Sequence, residues 1–128
     1  MSKTSRIFLI IGAILGAVSV AVGAFGAHGL HDYLEETGRS STFVTGVTYL
    51  WYHTFAILIV GVLSNFKSNK FLQWSGYLFL IGILLFSGSL FLLIATGNTS
   101  FGAITPIGGL SFIAGWICLA VGVFRIKH

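Results

Sequence analysis

Four long apolar runs, separated by short polar segments, dominate the chain. They cover approximately residues 7–27, 43–63, 71–95 and 104–124, and none of them contains Asp, Glu, Lys or Arg. A helix of about 20 residues crosses about 30 Å of hydrocarbon, and lipid offers no partner for unpaired backbone groups, which favours helices. The pattern therefore predicts an all-α fold, an integral membrane four-helix bundle in a single transmembrane domain over residues 1–128.

The segment between the first two runs carries a short amphipathic pattern. Its apolar stripe has helical spacing and consists of Leu30, Tyr33 and Leu34. Its polar face consists of His31, Asp32, Glu35 and Glu36. Gly38 then favours a helix stop. We expect a short interfacial helix at the outer surface, and one of the residues 40–42 as the cap of the second span.

The basic residues are distributed unequally between the two ends of the predicted bundle. Six of the seven lie on one side, namely Lys3, Arg6, Lys67, Lys70, Arg125 and Lys127. Arg39 shares the other side with all three acids, Asp32, Glu35 and Glu36. The positive-inside rule then predicts that both termini are cytoplasmic and that the protein lies in the cell membrane.

Composition supports a membrane protein. Hydrophobic residues make up 55% of the chain, charged residues 8%, and the mean hydropathy is +0.96. A soluble fold of 128 residues has no means of hiding so much apolar surface. The net charge of +4 does not indicate nucleic-acid binding, because the basic residues flank apolar runs. The single cysteine, Cys118, lies inside a run and indicates a packing residue, with no disulfide or cysteine metal cluster.

The N-terminus also resembles a signal peptide. Lys3 and Arg6 precede an apolar core, and Val22-x-Ala24 is similar to a cleavage site. The run is longer than the apolar region of a usual signal peptide, and its glycine pattern suits permanent packing. We therefore expect it to be retained as the first span.

Small residues predict the helix contacts, because close packing replaces apolar burial as the cause of helix association in lipid. In span one, one stripe consists of Gly12, Gly16, Ser19 and Gly23. A second stripe, about 120° away by helical geometry, consists of Ala17, Ala21, Ala24 and His28. In span four, glycines recur every seven residues at Gly108, Gly115 and Gly122. Span one is thus expected to contact two neighbours, and span four one.

His53 is the polar residue that most needs an explanation. It lies about ten residues into span two, near the bilayer centre, where an unpaired polar group costs several kcal/mol. Tyr49 lies four residues earlier on the same face and is a candidate partner. Two interpretations stay open: a functional ionisable site, or a neutral histidine that locks two helices together.

The other polar candidates lie toward the outer end. His28 is near the predicted membrane boundary, and His31 follows it, but a clear third metal ligand is missing. His28, either Ser87 or Ser89, and Thr105 could form a small polar pocket, or each hydroxyl could bond to its own helix backbone. No catalytic motif and no cofactor motif is present.

Four segments together resemble one known family. They are GAFGAHGL (23–30), FVTGVTYLWYH (43–53), FSGSLFLLIATG (86–97) and GAITPIGGLSFIAGW (102–116). They are similar to the YgdD/YwdK-like group of small four-helix membrane proteins, a domain of unknown function (family 423). The resemblance covers nearly the whole chain. It implies a multi-pass membrane protein and supplies no reaction, substrate or cofactor.

These observations predict a non-enzymatic protein that acts through the bilayer or through helix contacts. Its expected partners are the lipid bilayer and either further copies of itself or another membrane protein. The alternative function is a minimal small-solute or proton-coupled transporter or channel that uses His53 and His28. Four short helices rarely enclose a pathway alone, so the alternative requires a homo-oligomer.

Overall fold

The computed structural model describes residues 1–126, and Lys127, one of the basic residues used for the topology, lies outside them. The helices are α1 (Lys3–His28), α2 (His31–Thr37), α3 (Ser40–Phe66), α4 (Lys70–Gly82), α5 (Gly88–Thr96) and α6 (Thr105–Phe124). A π-helical segment, Ile83–Ser87, joins α4 to α5, and a 3₁₀ helix, Thr99–Ala103, precedes α6. Residues 1–126 contain no strand.

Four stretches within residues 1–126 are long and apolar enough to cross a membrane, which confirms the prediction of four apolar helices that could span one. They are Lys3–His28, Ser40–Phe66, Lys70–Thr96 and Thr99–Phe124. The third contains α4, the π segment and α5, and is called the third span below. The observed helices extend a few residues past most of the predicted limits, because polar residues can continue a helix beyond the apolar core.

Local signals at the helix ends are only partly those predicted. Gly38 ends α2 in the left-handed region, with φ of 66°, as expected for a helix stop. The predicted serine or threonine cap of α3 is wrong: Arg39 is the cap residue and makes no side-chain cap bond. The Ser41 carbonyl instead accepts a hydrogen bond from Thr45.

The four spans are not equivalent neighbours. α1 packs mainly against α3, α3 packs against the third span, and α6 lies along α4 and the π segment. The backbones of α3 and α6 make few close approaches, and aromatic side chains bridge the space between them. This spacing leaves room for the candidate site described below.

Two groups of buried side chains form the core. The larger one lies between α1, α3, the third span and α6, and includes Phe8, Leu50, Ile57, Phe79 and Phe112. The smaller one lies beside α2 and consists of Leu34, Phe43 and Ile94. The Tyr33 hydroxyl donates to the Ile94 carbonyl at 2.7 Å, so α2 is fixed to the third span as well as to α1 and α3.

The glycines of α6 lie directly against the third span, and we call this contact the α6 seam. A Cβ atom at Gly115 would lie 2.7 Å from Phe79, and one at Gly122 would lie 2.9 Å from Leu72. At Gly108 the Cβ would overlap the backbone of Phe86. A larger residue at Gly115 or Gly122 therefore requires a neighbouring side chain to move, and one at Gly108 requires the two backbones to separate.

The packing of α1 differs from the prediction at two glycines. A Cβ atom at Gly16 would have no neighbour within 4 Å, and one at Gly23 would meet only Val47, at 3.9 Å. The stripe that faces the bundle consists instead of Ser5, Gly12, Ser19 and Gly26, which are all buried. The predicted second close-packed face of α1 is also wrong, because its members are exposed: Ala17, Ala21, Ala24 and His28.

Candidate functional site

His53 lies at the middle of α3 and is only 3% exposed. Its Nδ1 atom lies 2.8 Å from the Tyr49 carbonyl oxygen, and its Nε2 atom lies 3.1 Å from Nε1 of Trp116 on α6. An indole N–H can only donate, so Nε2 accepts, and Nδ1 carries the hydrogen that is donated to the carbonyl. A neutral imidazole therefore has both of its hydrogen-bonding groups satisfied.

Aromatic rings surround this pair of hydrogen bonds. The His53 imidazole stacks on Phe112 of α6, with ring centroids 3.5 Å apart and planes 9° apart. The Trp116 indole meets Phe79 edge-on at 4.9 Å. The ring of Tyr49 packs against Phe86 at 4.5 Å. The imidazole thus joins α3 to α6 by polar and stacking contacts together.

The partners of His53 are only partly those that the sequence suggested. Tyr49 does bond to the imidazole, but through its backbone carbonyl and not through its hydroxyl. Trp116 was missed altogether. A signal for it was present, because a tryptophan inside a span carries an N–H that needs an acceptor in an apolar environment. The sequence did not show that α3 and α6 align at this level.

A groove of about 850 Å³ runs between α3 and α6 beside this cluster. Its lining is mainly apolar and aromatic and comprises Tyr49, Tyr52, His53, Phe55, Phe86, Pro106, Gly109, Leu110, Phe112, Ile113 and Trp116. Tyr52, Leu110 and Ile113 are each more than half exposed and project at its rim. The groove is therefore open to the surroundings of the bundle.

The hydroxyls of the third span bond to helix carbonyls and to each other. Ser87 donates to the Gly46 carbonyl of α3 at 2.7 Å. Ser89 donates to the Phe86 carbonyl at 2.9 Å and lies 2.6 Å from the Thr105 hydroxyl. These bonds use the two serines on different sides of the third span, as the sequence had indicated, and they tie it to α3 and to the start of α6.

The histidines outside the membrane core are not part of this arrangement. His28 is exposed at the end of α1, and α1 does not pack against α6, so the structure does not join His28 to Thr105 or His53. His31 lies 3.3 Å from Asp32 and 3.6 Å from Glu35. Within residues 1–126 no three His, Cys, Asp or Glu side chains are grouped to hold a metal ion.

The π-helical segment was not predicted either. Its wider turn spans Ile83–Ser87, where α6 comes closest to the third span at Gly108. The Ser89 hydroxyl bonds to the Phe86 carbonyl within this region. Single π turns inside helices frequently occur at functional sites. Here the turn places Phe86 in the groove and Ser87 against α3.

Comparison with known proteins gives consistent matches along the chain. A family model described as "Protein of unknown function (DUF423)" matches residues 22–109. A UPF0382 membrane protein of Staphylococcus haemolyticus is 43% identical over 94% of this chain and 97% of its own length. A UPF0382 membrane protein of Haemophilus influenzae is 47% identical over 94% of this chain and 95% of its own length. The UPF0382 inner membrane protein YgdD of Escherichia coli is 40% identical over 98% of this chain and 95% of its own length. No solved structure matches.

Proposed function

The chain belongs to the DUF423 family of membrane proteins, and we propose that it has a non-enzymatic, membrane-structural role. In this role two copies pair through the groove between α3 and α6. The observation that carries the proposal is the hydrogen bonding of His53, the only buried titratable side chain within residues 1–126. Both of its nitrogens already bond within the bundle.

A histidine that relays protons needs a nitrogen that can exchange partners. Protonation of His53 at Nε2 would place an N–H against the indole N–H of Trp116, and two donors would face each other. If Nδ1 moved away from the Tyr49 carbonyl, it would lose its hydrogen-bond partner in an apolar region. This geometry supports a structural lock between α3 and α6 that keeps the walls of the groove in place.

The shape of the groove supports a second copy as its occupant. The projecting side chains of Tyr52, Leu110 and Ile113 lie beside the groove on the same face. A two-fold axis brings the same patch together on both partners, so that each copy can insert its ridge into the other's groove. Gly109 lines the groove without a side chain, which allows close approach of a helix.

Co-purification of two differently tagged full-length copies tests the pairing. Gly109→Leu places a side chain in the groove, and its Cβ atom makes only ordinary contact, 3.9 Å from the Phe86 ring. Gly16→Leu is the matched control, since Gly16 faces open space on α1. We expect the wild type and Gly16→Leu to co-purify, and Gly109→Leu not to. Equal co-purification of all three proteins would contradict pairing through the groove. So would co-purification that occurs only after separately prepared lysates of the two tagged copies are mixed, because the copies would then associate after lysis.

We propose further that both termini are cytoplasmic and that α2 lies at the outer surface. The support is the position of Lys3, Arg6, Lys67 and Lys70 at one end and of the three acids at the other. Single cysteines introduced at residue 2 or residue 36 in a Cys118→Ser background test this in intact cells. A membrane-impermeant maleimide should label residue 36 and not residue 2, and the reverse pattern would overturn the orientation.

A transporter is the second candidate, and one observation favours it. In the part of the chain that the structure describes, four buried hydroxyls have no hydrogen-bond partner, namely those of Ser5, Thr54, Ser64 and Ser75. They come from α1, α3 and α4 and could contact water or a solute within the bundle. Liposomes that contain the purified protein decide between the candidates. A pH-dependent flux of ions or solutes across the liposome membrane that His53→Ala abolishes would overturn the structural proposal. Absence of such a flux supports it.

A further inference from the structure

A second cavity, of about 420 Å³, lies at the end of the bundle that carries α2. Its apolar walls come from the last turns of α1 and the first turns of α3, where Gly23, Ala27, Val44 and Val47 face the space. Gly23 contributes room because no side chain fills its position. The cavity is separate from the groove between α3 and α6 and shares no lining residue with it.

Most polar groups of this cavity lie at its α2 side, and one further hydroxyl, that of Thr48, lies about two turns past Ser40 on α3. His31 and Glu35 of α2 and Ser40 of α3 line it there. The Glu35 carboxylate is exposed over about two thirds of its side chain and lies 3.6 Å from His31. Asp32 and Glu36 add two further carboxylates on the same short helix, while Arg39 is the nearest cationic residue along the chain. An anionic ligand would be repelled here and an ammonium group attracted.

We propose that this cavity binds an amphiphile with a primary ammonium head and an apolar tail, namely a phospholipid whose head group carries a primary amine. The Glu35 carboxylate accepts a hydrogen bond from the ammonium group, and the Ser40 hydroxyl offers a second polar contact. The tail lies along Gly23, Val44 and Val47. Small-molecule sites of this size are usually apolar with a few polar groups that fix orientation.

The proposal is independent of pairing through the other groove. An ammonium group that donates to a carboxylate makes a charge-assisted hydrogen bond, and a quaternary ammonium has no N–H to donate. The site should therefore distinguish phosphatidylethanolamine from phosphatidylcholine with the same acyl chains, although both lipids have the same net charge.

Native mass spectrometry of the delipidated full-length protein, titrated with each lipid, measures this preference. We expect phosphatidylethanolamine to bind about threefold more tightly than phosphatidylcholine, a factor that corresponds to one solvent-accessible ion pair. Phosphatidylglycerol should bind more weakly than either. Equal affinity for the two zwitterionic lipids, or tighter binding of phosphatidylglycerol, would overturn the assignment.

Two pairs of variants locate the site. Glu35→Gln should reduce the preference for the primary amine to near one, while Glu36→Gln, on the same helix but outside the cavity, should keep it. Gly23→Leu should fill the cavity and weaken the binding of both zwitterionic lipids. Gly16→Leu, seven residues earlier on α1, should leave this binding unchanged. A preference that survives Glu35→Gln contradicts the role of the carboxylate, and this result does not depend on whether Gly23→Leu folds. Unchanged binding by a folded Gly23→Leu contradicts the tail site.

Discussion

The glycines of α6 and of α1 look alike in the sequence and behave differently in the structure. In α6, three glycines at intervals of seven all lie against the third span. In α1, the predicted glycine stripe combined members of two rows with seven-residue spacing, one through Gly12, Ser19 and Gly26 and one through Gly16 and Gly23. Only the first faces α3 at close range.

The difference lies in the partner helices. Gly12 lies against Leu58 and Gly26 against the Phe43 ring, whereas the space beside Gly16 is open. A glycine therefore marks a close helix contact only where a bulky side chain or the backbone of a neighbour occupies the space that it leaves. Periodicity limits the choice to a few faces, and the neighbouring surface selects among them.

The largest effect is expected at Gly108, where α6 meets the backbone of the third span. Gly108→Leu places a side chain against Phe86 N, and backbone cannot rotate away as a side chain can. We expect a loss of about 3 kcal/mol in the free energy of unfolding, measured by SDS titration in mixed micelles. Gly16→Leu is the control and should stay within about 0.5 kcal/mol of the wild type. Equal losses of unfolding free energy for Gly108→Leu and Gly16→Leu would contradict the difference between the α6 seam and the open face of α1.

The hydrogen bond between Trp116 and His53 should give the next effect. Trp116→Phe leaves the buried Nε2 without a donor, which should cost about 1–2 kcal/mol in the same measurement. Trp74→Phe, at a site that is 58% exposed, is the matched control. The double variant with His53→Phe should cost less than the sum of the two single variants, because no unpaired acceptor remains. Additive losses would contradict the lock.

Alanine substitutions in α1 test whether the row through Gly12, and not the row through Gly23, makes the close contact. At Gly12 the new Cβ would lie 2.5 Å from Leu58 Cδ2, so the Leu58 side chain must move, at a cost of about 1 kcal/mol. Gly23→Ala meets only ordinary contact and should be neutral or stabilise the helix, since alanine is the better helix former. Thermal unfolding in detergent measures both. A more destabilising Gly23→Ala would show that α1 is rotated relative to its position here.

The smallest effect is expected where α2 joins the third span. Tyr33→Phe removes the hydroxyl that bonds to the Ile94 carbonyl and should cost about 0.5 kcal/mol. Amide hydrogen exchange should become faster in α2 and stay unchanged in α6. Tyr52→Phe, at a site that is 60% exposed, serves as the control. Unchanged exchange in α2 would show that apolar contacts of Leu34 alone hold this helix.

Much of the candidate site could be recognised from the sequence, but not its assembly. Five polar residues could be recognised inside apolar runs, namely His53, Tyr49, Ser87, Ser89 and Thr105. Their partners did not, because Trp116 is 63 residues away from His53, and Gly46 is 41 residues away from Ser87. A one-dimensional pattern does not encode which residues of different spans lie at the same level and face each other.

The π segment and the groove show the same limit. The residues at positions 83–87 are an ordinary apolar run with one serine, so nothing in their periodicity marks a wider turn. The turn occurs where Gly108 brings α6 against the backbone of the third span. The groove exists because α3 and α6 meet through aromatic side chains and not through close backbone contact.

The residue pattern alone was enough to identify a four-helix membrane protein and, within a few residues, the limits of its helices. The reason is that the cost of placing charges and unpaired backbone groups in hydrocarbon depends on each segment alone. The packed arrangement was needed to learn which small residues make contacts, how His53 is satisfied, and where the two cavities lie. Each of these depends on the rotation and level of one helix relative to another, which the side chains of both helices fix together.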